Sequence, residues 1–183
     1  MIFFYKNILS TLLILGVFFH SCGNDPDNKM REGKIFPGFQ CKKAVAYDYD
    51  GSEKGDLIIE KGKIHYSVKK QVTLSKEQTD SLLQILNEKG SYGEDVTRCF
   101  KPHLGVIFYD EKDQPKAQIS ICFLCNQHNS FPLIAAQESV GKSHPKEFHG
   151  YSAVGKTKLM RFCKDLGFSN CGVTDAIESP NEE

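Results

Sequence analysis

The cysteine distribution limits what this chain can fold into. Seven cysteines occur in 183 residues, and the first, Cys22, directly follows a hydrophobic N-terminal stretch. The other six are Cys41, Cys99, Cys122, Cys125, Cys163 and Cys171. An even number of cysteines in an exported protein indicates disulfides. Six cysteines allow about 15 pairings, so the sequence alone does not give the connectivity.

The stretch before Cys22 predicts export. Residues 8–19 are mostly apolar, Lys6 lies upstream, and the small residue Ser21 directly precedes the cysteine. An apolar run of this length is typical of a signal peptide and short for a membrane-spanning helix. We therefore expect residues 1–21 to be a signal peptide. Two alternatives stay open for the cysteine at its end: an ordinary cleaved signal, or an uncleaved N-terminal anchor, in which Cys22 has no special role.

The same N-terminal residues resemble the leader of bacterial lipoproteins, in which the cysteine after the cut carries diacylglycerol. This resemblance implies lipid attachment at Cys22 and a protein anchored to a membrane of the bacterial cell envelope. Gly23 stands where an Asp commonly retains such proteins in the inner membrane, so the resemblance favours the outer membrane. Residues 22–34 are polar and predict the lipidated cysteine followed by a flexible tether.

The charge balance narrows the range of partners. The chain has 23 basic and 23 acidic residues, and Lys6 is the only charged residue that leaves with the predicted leader. A near-neutral chain without a basic run argues against nucleic-acid binding and against a polybasic membrane patch. We expect membrane contact through the N-terminal lipid, and a protein or small-molecule partner that the sequence does not identify.

Hydrophobic periodicity predicts an α+β fold. Short strands are expected over residues 44–47, 57–60 and 64–68, and an antiparallel hairpin over 104–110 and 117–124. Ser75 and Ser152 each precede a helical pattern and are expected to cap it. The order of these elements predicts one domain over residues 35–175, an antiparallel sheet with two main helices packed on one face. Residues 126–150 are expected to be loop, and residues 176–183 an acidic, frayed tail.

The open end of the predicted hairpin is the candidate site. Counting outward from the turn places Leu104 near Cys122, and Cys99 near Cys125. Three thiols would then meet there, with two histidines, His103 and His128, a few residues away.

Three interpretations of this cluster stay open. A structural disulfide from Cys99 to Cys125 or Cys122 would close the hairpin, because cross-strand neighbours meet the required Cα separation. Cys122-x-x-Cys125 with Cys99 and a histidine would also suit zinc, the one cofactor that the sequence suggests. A redox-active Cys-x-x-Cys is the third, although this motif ends a strand and lacks the helix N-terminus that activates such thiols. Separately, Cys163 and Cys171 lie on either side of a helix end and form a second candidate disulfide.

The same segment resembles a group of uncharacterised bacterial proteins, many of them lipoproteins. The group combines a C-x-x-P-[RH] element, a hydrophobic strand that ends in Tyr-Asp, and an I-x-I-C-F-x-C strand. Here these are residues 99–103, 106–110 and 119–125, and the likeness extends in outline over residues 73–168. The resemblance implies a shared domain and no particular activity.

One familiar motif is expected to be coincidental. Residues 150–157 match the phosphate-loop pattern G-x-x-x-x-G-K-[ST], but residues 143–149 before it do not resemble a buried strand. We therefore expect no nucleotide site. No catalytic constellation is evident, so the leading hypothesis is a lipid-anchored, non-catalytic binding or interaction module. The rival is a thiol-redox or zinc-dependent enzyme centred on Cys99, Cys122 and Cys125.

Overall fold

The computed structural model describes residues 35–51, 57–141 and 149–172. The predictions for the signal peptide, Cys22, the tether and the acidic tail all lie outside these described residues. Within the three described ranges, no helix is both long enough and apolar enough to cross a membrane.

Nine strands and three α-helices make up the described part of the chain. The strands are β1 (Lys43–Tyr49), β2 (Ile59–Glu60), β3 (Lys63–Ile64), β4 (Val68–Thr73), β5 (Tyr92–Asp95), β6 (Leu104–Tyr109), β7 (Pro115–Cys122), β8 (Gln127–Phe131) and β9 (His149–Tyr151). The helices are α1 (Lys76–Asn87), α2 (Ala135–Gly141) and α3 (Ala153–Asp165). A 3-10 turn, Lys89–Ser91, joins α1 to β5.

The main sheet has five strands in the order β4-β1-β6-β7-β8, and every neighbouring pair is antiparallel. Two small two-stranded sheets, β2–β3 and β5–β9, complete the strand pairing of the described residues. The predicted α+β class and the antiparallel sheet are therefore confirmed.

Alternation along the strands divides the apolar residues between two clusters. Successive side chains of a strand point to opposite faces of its sheet. The larger cluster contains buried residues of the main sheet together with buried residues of α1 and α3. It includes Ala44, Ala46, Leu104, Val106, Phe108, Ile119 and Ile121 from the sheet and Leu82, Leu86, Leu159 and Phe162 from the helices. The smaller cluster, on the opposite face, contains Val45, Tyr47, Tyr49, Ile107 and Ile58.

Local capping explains where the two longer helices begin. Ser75 and Gln78 form a reciprocal capping box at the start of α1, as the sequence predicts. The Ser152 hydroxyl accepts a hydrogen bond from the backbone N–H of Gly155 at the start of α3. Gly167, with a φ of 66°, follows the end of α3 in the left-handed conformation that glycine favours.

The prediction of a loop over residues 126–150 is wrong. Strand β8 and helix α2 lie in this range, and β9 begins at its end. Strand β8 is polar, with the sequence Gln-His-Asn-Ser-Phe, so it lacks the apolar alternation that identifies a strand. It forms because β7 supplies its hydrogen-bonding partner. The predicted strand over residues 64–68 is also displaced, since the paired residues are Lys63–Ile64 and Val68–Thr73.

Candidate functional site

The β6–β7 hairpin brings its flanking cysteines together. Leu104 pairs with Ile121, one residue from the predicted partner Cys122. Beyond this pair, a turn over residues 123–126 leads into β8. Asn126 adopts a φ of 54° at the end of that turn. Cys99 and Cys125 form a disulfide with a Cα separation of 5.6 Å, which confirms one of the two predicted pairings.

Cys122 is the third sulfur at this point. It is fully buried and forms no disulfide. The backbone N–H of Cys125 donates a hydrogen bond to the Cys122 sulfur at 3.2 Å. The sulfurs of Cys99, Cys122 and Cys125 all lie within 4.8 Å of one another. The cluster is therefore a disulfide with a free thiol held beside it.

His128 does not join this cluster, although the sequence places it nearby. His128 pairs with Ile121 in the β7–β8 ladder, whereas Gln127 pairs with Cys122. Directly paired residues share a face of the sheet, so His128 and Cys122 lie on opposite faces. The imidazole packs against the rings of Tyr92 and Tyr151, at centroid distances of 6.0 and 5.1 Å. Burial lowers the pKa of His128 to about 4, and a hydrogen bond with Gln137 opposes this shift in part.

His103 is also turned away from the thiols. Its Nδ1 atom lies 3.1 Å from a carboxylate oxygen of Asp50. Lys69 pairs with the other carboxylate oxygen of Asp50 at 2.6 Å. The hydrogen bond from Lys69, together with the charges of Lys69 and His103, lowers the pKa of Asp50. His103 therefore belongs to a partly exposed ionic network with Asp50 and Lys69, and not to the cysteine cluster.

Four of the six cysteines after Cys22 form disulfides, and two remain thiols. Within the described ranges there are two disulfides, Cys99–Cys125 and Cys163–Cys171, of which the second confirms the disulfide predicted at the end of α3. Cys41 remains a thiol and donates to the carbonyl oxygen of Lys43 at 3.2 Å. Burial raises the pKa of the Cys41 thiol. The free residues Cys41 and Cys122 do not form the third pair that cysteine parity suggests.

The three cysteines could bind a soft metal ion only if the Cys99–Cys125 disulfide were reduced. Zinc and monovalent copper prefer thiolate ligands, and a disulfide sulfur is not a thiolate. With Cys99 joined to Cys125, only Cys122 of the three offers a thiol. Reduction of the disulfide would make three sulfur ligands available at this place.

The phosphate-loop match has a packing explanation. Its first two residues, Gly150 and Tyr151, form the end of the short buried strand β9, and residues 142–148 before this strand lie outside the described residues. A Cβ atom at Gly150 would overlap the backbone oxygen of Asn126, and one at Gly155 would overlap the backbone of Ser91. The backbone N–H of Ala153 donates to a carboxylate oxygen of Glu94 at 2.8 Å. Both glycines thus permit close packing, and an acidic side chain of the protein already occupies the helix start.

A cleft that sequence patterns do not reveal lies beside the β2–β3 hairpin. It has a volume of about 290 Å³ and is bounded by the β2–β3 hairpin and the β7–β8 corner of the main sheet. Its lining residues are Ile59, Lys61, Gly62, Pro115, Lys116, Ala117, Gln118 and Phe131. The backbone N–H of Ile59 donates to the Gln118 side chain at 3.2 Å, which fixes the hairpin over the sheet. Among the described residues, two lysines and no carboxylate line the cleft.

The two edges of the main sheet differ in a way that bears on binding. The β4 edge carries Lys69 and Lys70, and charged residues of this kind discourage further strand pairing. Strand β8 contains no Asp, Glu, Lys or Arg, and its one histidine, His128, is half-buried. Next to the cleft, Phe131 and Leu133 expose 67% and 68% of their surface. The β8 edge and the cleft therefore form a continuous, partly apolar surface with a basic rim.

The fold and the site together define a mixed α+β domain that is cross-linked by two disulfides, a combination typical of an oxidising, extracellular-type environment. No protein-family model, curated protein or solved structure matches this chain.

Proposed function

We propose that this protein is a lipid-anchored component of the bacterial cell envelope, and that its domain is a non-catalytic binding module. Cys22 would carry the lipid, residues 22–34 would tether the domain, and the outer membrane is the proposed location. The proposal includes membership of the lipoprotein group with the cysteine signature described above. It also includes an architecture in which α1 and α3 are the two main helices and cover the same face of the sheet.

The observation that carries the binding function is the surface formed by the β8 edge and the adjacent cleft. Large apolar side chains that remain exposed next to a concave surface commonly mark an interaction site. Phe131 is part of both features, since it ends β8 and lines the cleft. An unpaired strand edge can accept a further strand from a partner, which supplies main-chain hydrogen bonds.

The backbone of β8 is suited to such an addition. The Ile121 carbonyl accepts from the backbone N–H of His103, on the β6 side of β7. Because backbone groups alternate along an antiparallel strand, Ser120 and its alternate neighbours face β8. The same alternation directs the backbone N–H and C=O of Ser130 away from β7.

The chemistry of the cleft indicates the kind of partner. Lys61 and Lys116 lie at its edge, and Phe131 and Ile59 provide apolar surface. We infer that the partner is an extended peptide segment with an apolar side chain for the cleft and a carboxylate for the lysines. Burial of the peptide's apolar side chain in the cleft would supply affinity, and attraction between its carboxylate and the two lysines would orient it.

Selection from a peptide-display library on the purified protein tests this proposal. Enriched peptides are expected to combine an apolar residue with an acidic one, and to lose at least tenfold in affinity for Phe131→Ser. A Lys61→Glu, Lys116→Glu variant should weaken the same peptides. Val154→Ser is the matched control, because Val154 is 60% exposed on α3 and does not line the cleft. Peptides that bind wild type and the Phe131→Ser protein equally would contradict the proposed surface.

A further inference from the structure

The arrangement of Cys99, Cys122 and Cys125 has a chemical consequence that a simple cross-link does not require. A structural disulfide needs two sulfurs, but here a third lies within 4.8 Å of both. Thiol–disulfide exchange occurs when a thiolate attacks one sulfur of a disulfide. Cys122 is therefore placed as an internal nucleophile toward the Cys99–Cys125 bond.

The surroundings of Cys122 favour this role. Its sulfur accepts a hydrogen bond from the backbone N–H of Cys125, an interaction that stabilises negative charge on sulfur. This contact ties the Cys122 thiol to the backbone of Cys125. Cys122 is completely buried. External oxidants and thiols therefore reach its sulfur less easily than they reach the neighbouring disulfide.

Burial decides which sulfur of the disulfide would leave. Attack on Cys99 would release a thiolate at Cys125, which is fully buried, and an isolated buried charge is costly. Attack on Cys125 would instead release Cys99, which is partly exposed in a segment without regular secondary structure. Water can solvate this second thiolate. The direction of exchange is therefore toward a Cys122–Cys125 bond.

We propose that the cluster is an internal disulfide relay that exposes Cys99 as a reactive surface thiol. The Cys122 thiol gives up its proton as its sulfur bonds to the Cys125 sulfur and the Cys99–Cys125 bond breaks, so that no thiolate accumulates at the buried position. The electron pair of the broken bond leaves on the Cys99 sulfur, which takes a proton from water. One disulfide and one thiol are present before and after, so the step is an isomerisation that needs no oxidant or reductant.

The exchanged form can react with other disulfides. Cys99 then carries a thiol at the surface, next to Arg98 and Lys101, and can form a mixed disulfide with a disulfide in its surroundings. The segment keeps two other attachments to β8 and the turn. The Gln127 side chain donates to the carbonyl oxygens of Thr97 and Cys99, and the Thr97 N–H donates to the Cys125 carbonyl. Exchange therefore releases the cross-link while these hydrogen bonds can hold the segment near its place.

Trypsin mapping under non-reducing conditions distinguishes the two isomers. Cleavage after Arg98, Lys112, Lys116 and Lys142 places Cys99 in peptide 99–112 and both other cysteines in peptide 117–142. The Cys99–Cys125 bond joins two peptides, whereas a Cys122–Cys125 bond closes within one. The two forms therefore differ in mass and in chromatographic behaviour.

The experiment uses the full chain with Cys22→Ser and Cys41→Ser, so that Cys122 is the only thiol outside the disulfides. The native protein is incubated at pH 8 with N-ethylmaleimide, then unfolded and treated with an isotopically heavier maleimide. We expect the light label on Cys99 to increase with time, in step with the internally closed peptide 117–142. Its rate should not depend on protein concentration, and it should be the same when Cys41 is intact.

Two cysteine variants make the result specific. Cys122→Ser and Cys122→Ala should each abolish labelling of Cys99, since the nucleophile is gone. The relay is overturned if label is found only on Cys122 while every fraction retains the Cys99–Cys125 bond. Labelling of Cys99 that rises in proportion to protein concentration would also overturn it, because exchange would then be between molecules. A light label on Cys125 would overturn the assignment of Cys99 as the leaving sulfur.

Discussion

His128 lies directly opposite Ile121 in the β7–β8 ladder, and this pairing separates the histidine from the cysteine cluster. The next pair along the ladder, Gln127 with Cys122, points to the other face of the sheet. A single residue of register therefore decides that the His128 ring packs against Tyr92 and Tyr151 and does not become a ligand beside the thiols. Its environment leads to the first prediction.

His128 should make the protein less stable in mild acid. Its pKa is about 4 in the folded protein, against about 6.5 for an unperturbed histidine. Above pH 6.5 the ring is neutral in both states. As the pH falls from 6.5 to 4, the unfolded state binds a proton that the folded state does not, so stability is lost. The loss attributable to His128 is about 3 kcal/mol at most.

Urea unfolding at pH 7 and pH 4.5 measures this effect. His128→Phe keeps an aromatic ring between Tyr92 and Tyr151 and removes the titration, so its stability should fall less on acidification than that of the wild type. Asn129→Ala, one residue along β8, should retain the full loss. An unchanged acid dependence in His128→Phe would show that the histidine is not buried as described.

Gly155→Ala should destabilise the protein even though alanine favours helices. In an exposed helix this change stabilises by about 1 kcal/mol. Here the new Cβ would overlap backbone atoms of Ser91, which have little freedom to move. Overpacking of this kind costs about 2 kcal/mol, so the net effect is a loss. Thr157→Ala on the same helix is the control, and thermal unfolding of both variants measures the difference. Stabilisation by Gly155→Ala would contradict the close contact.

Removal of the Cys163–Cys171 disulfide should destabilise the domain by about 2.5 kcal/mol. This figure follows from the short loop, with a sequence separation of 8 residues. The bond also attaches the chain after α3 to the core, where both cysteines are buried. Non-reducing urea unfolding of a Cys163→Ala, Cys171→Ala variant should show the loss. Cys41→Ala, which removes a cysteine without a disulfide, should change stability much less, and equal effects of the two would argue against the cross-link.

Replacement of Cys22 by serine should release the protein from membranes. Lipid attached to the cysteine thiol supplies the anchoring energy in the proposed arrangement, and serine does not accept it. Fractionation of bacterial cells expressing the wild type and Cys22→Ser measures the change, together with incorporation of labelled fatty acid. Cys41→Ser should stay with the membrane fraction. Membrane association and labelling that persist in Cys22→Ser would exclude this residue as the anchor.

Local features of the fold could be predicted from the sequence. The capping box at Ser75, the cap at Ser152 and the β6–β7 hairpin depend on residues close together in the chain. Counting outward from the hairpin turn also brings Cys99 close to Cys125, but it leaves Cys122 open as the alternative partner. Strand β8 could not be predicted, since its polar sequence becomes a strand only through pairing with β7.

The candidate site shows the same division. The sequence alone determined which residues carry reactive chemistry, and it placed three cysteines at one end of a hairpin. Only the tertiary structure decided that Cys122 remains a free thiol, that His128 faces the opposite side, and that Phe131 lines a cleft with Ile59. The physical reason is that register and packing join segments far apart in sequence. A shift of one residue reverses the face to which a side chain points, and periodicity within one segment does not fix that shift.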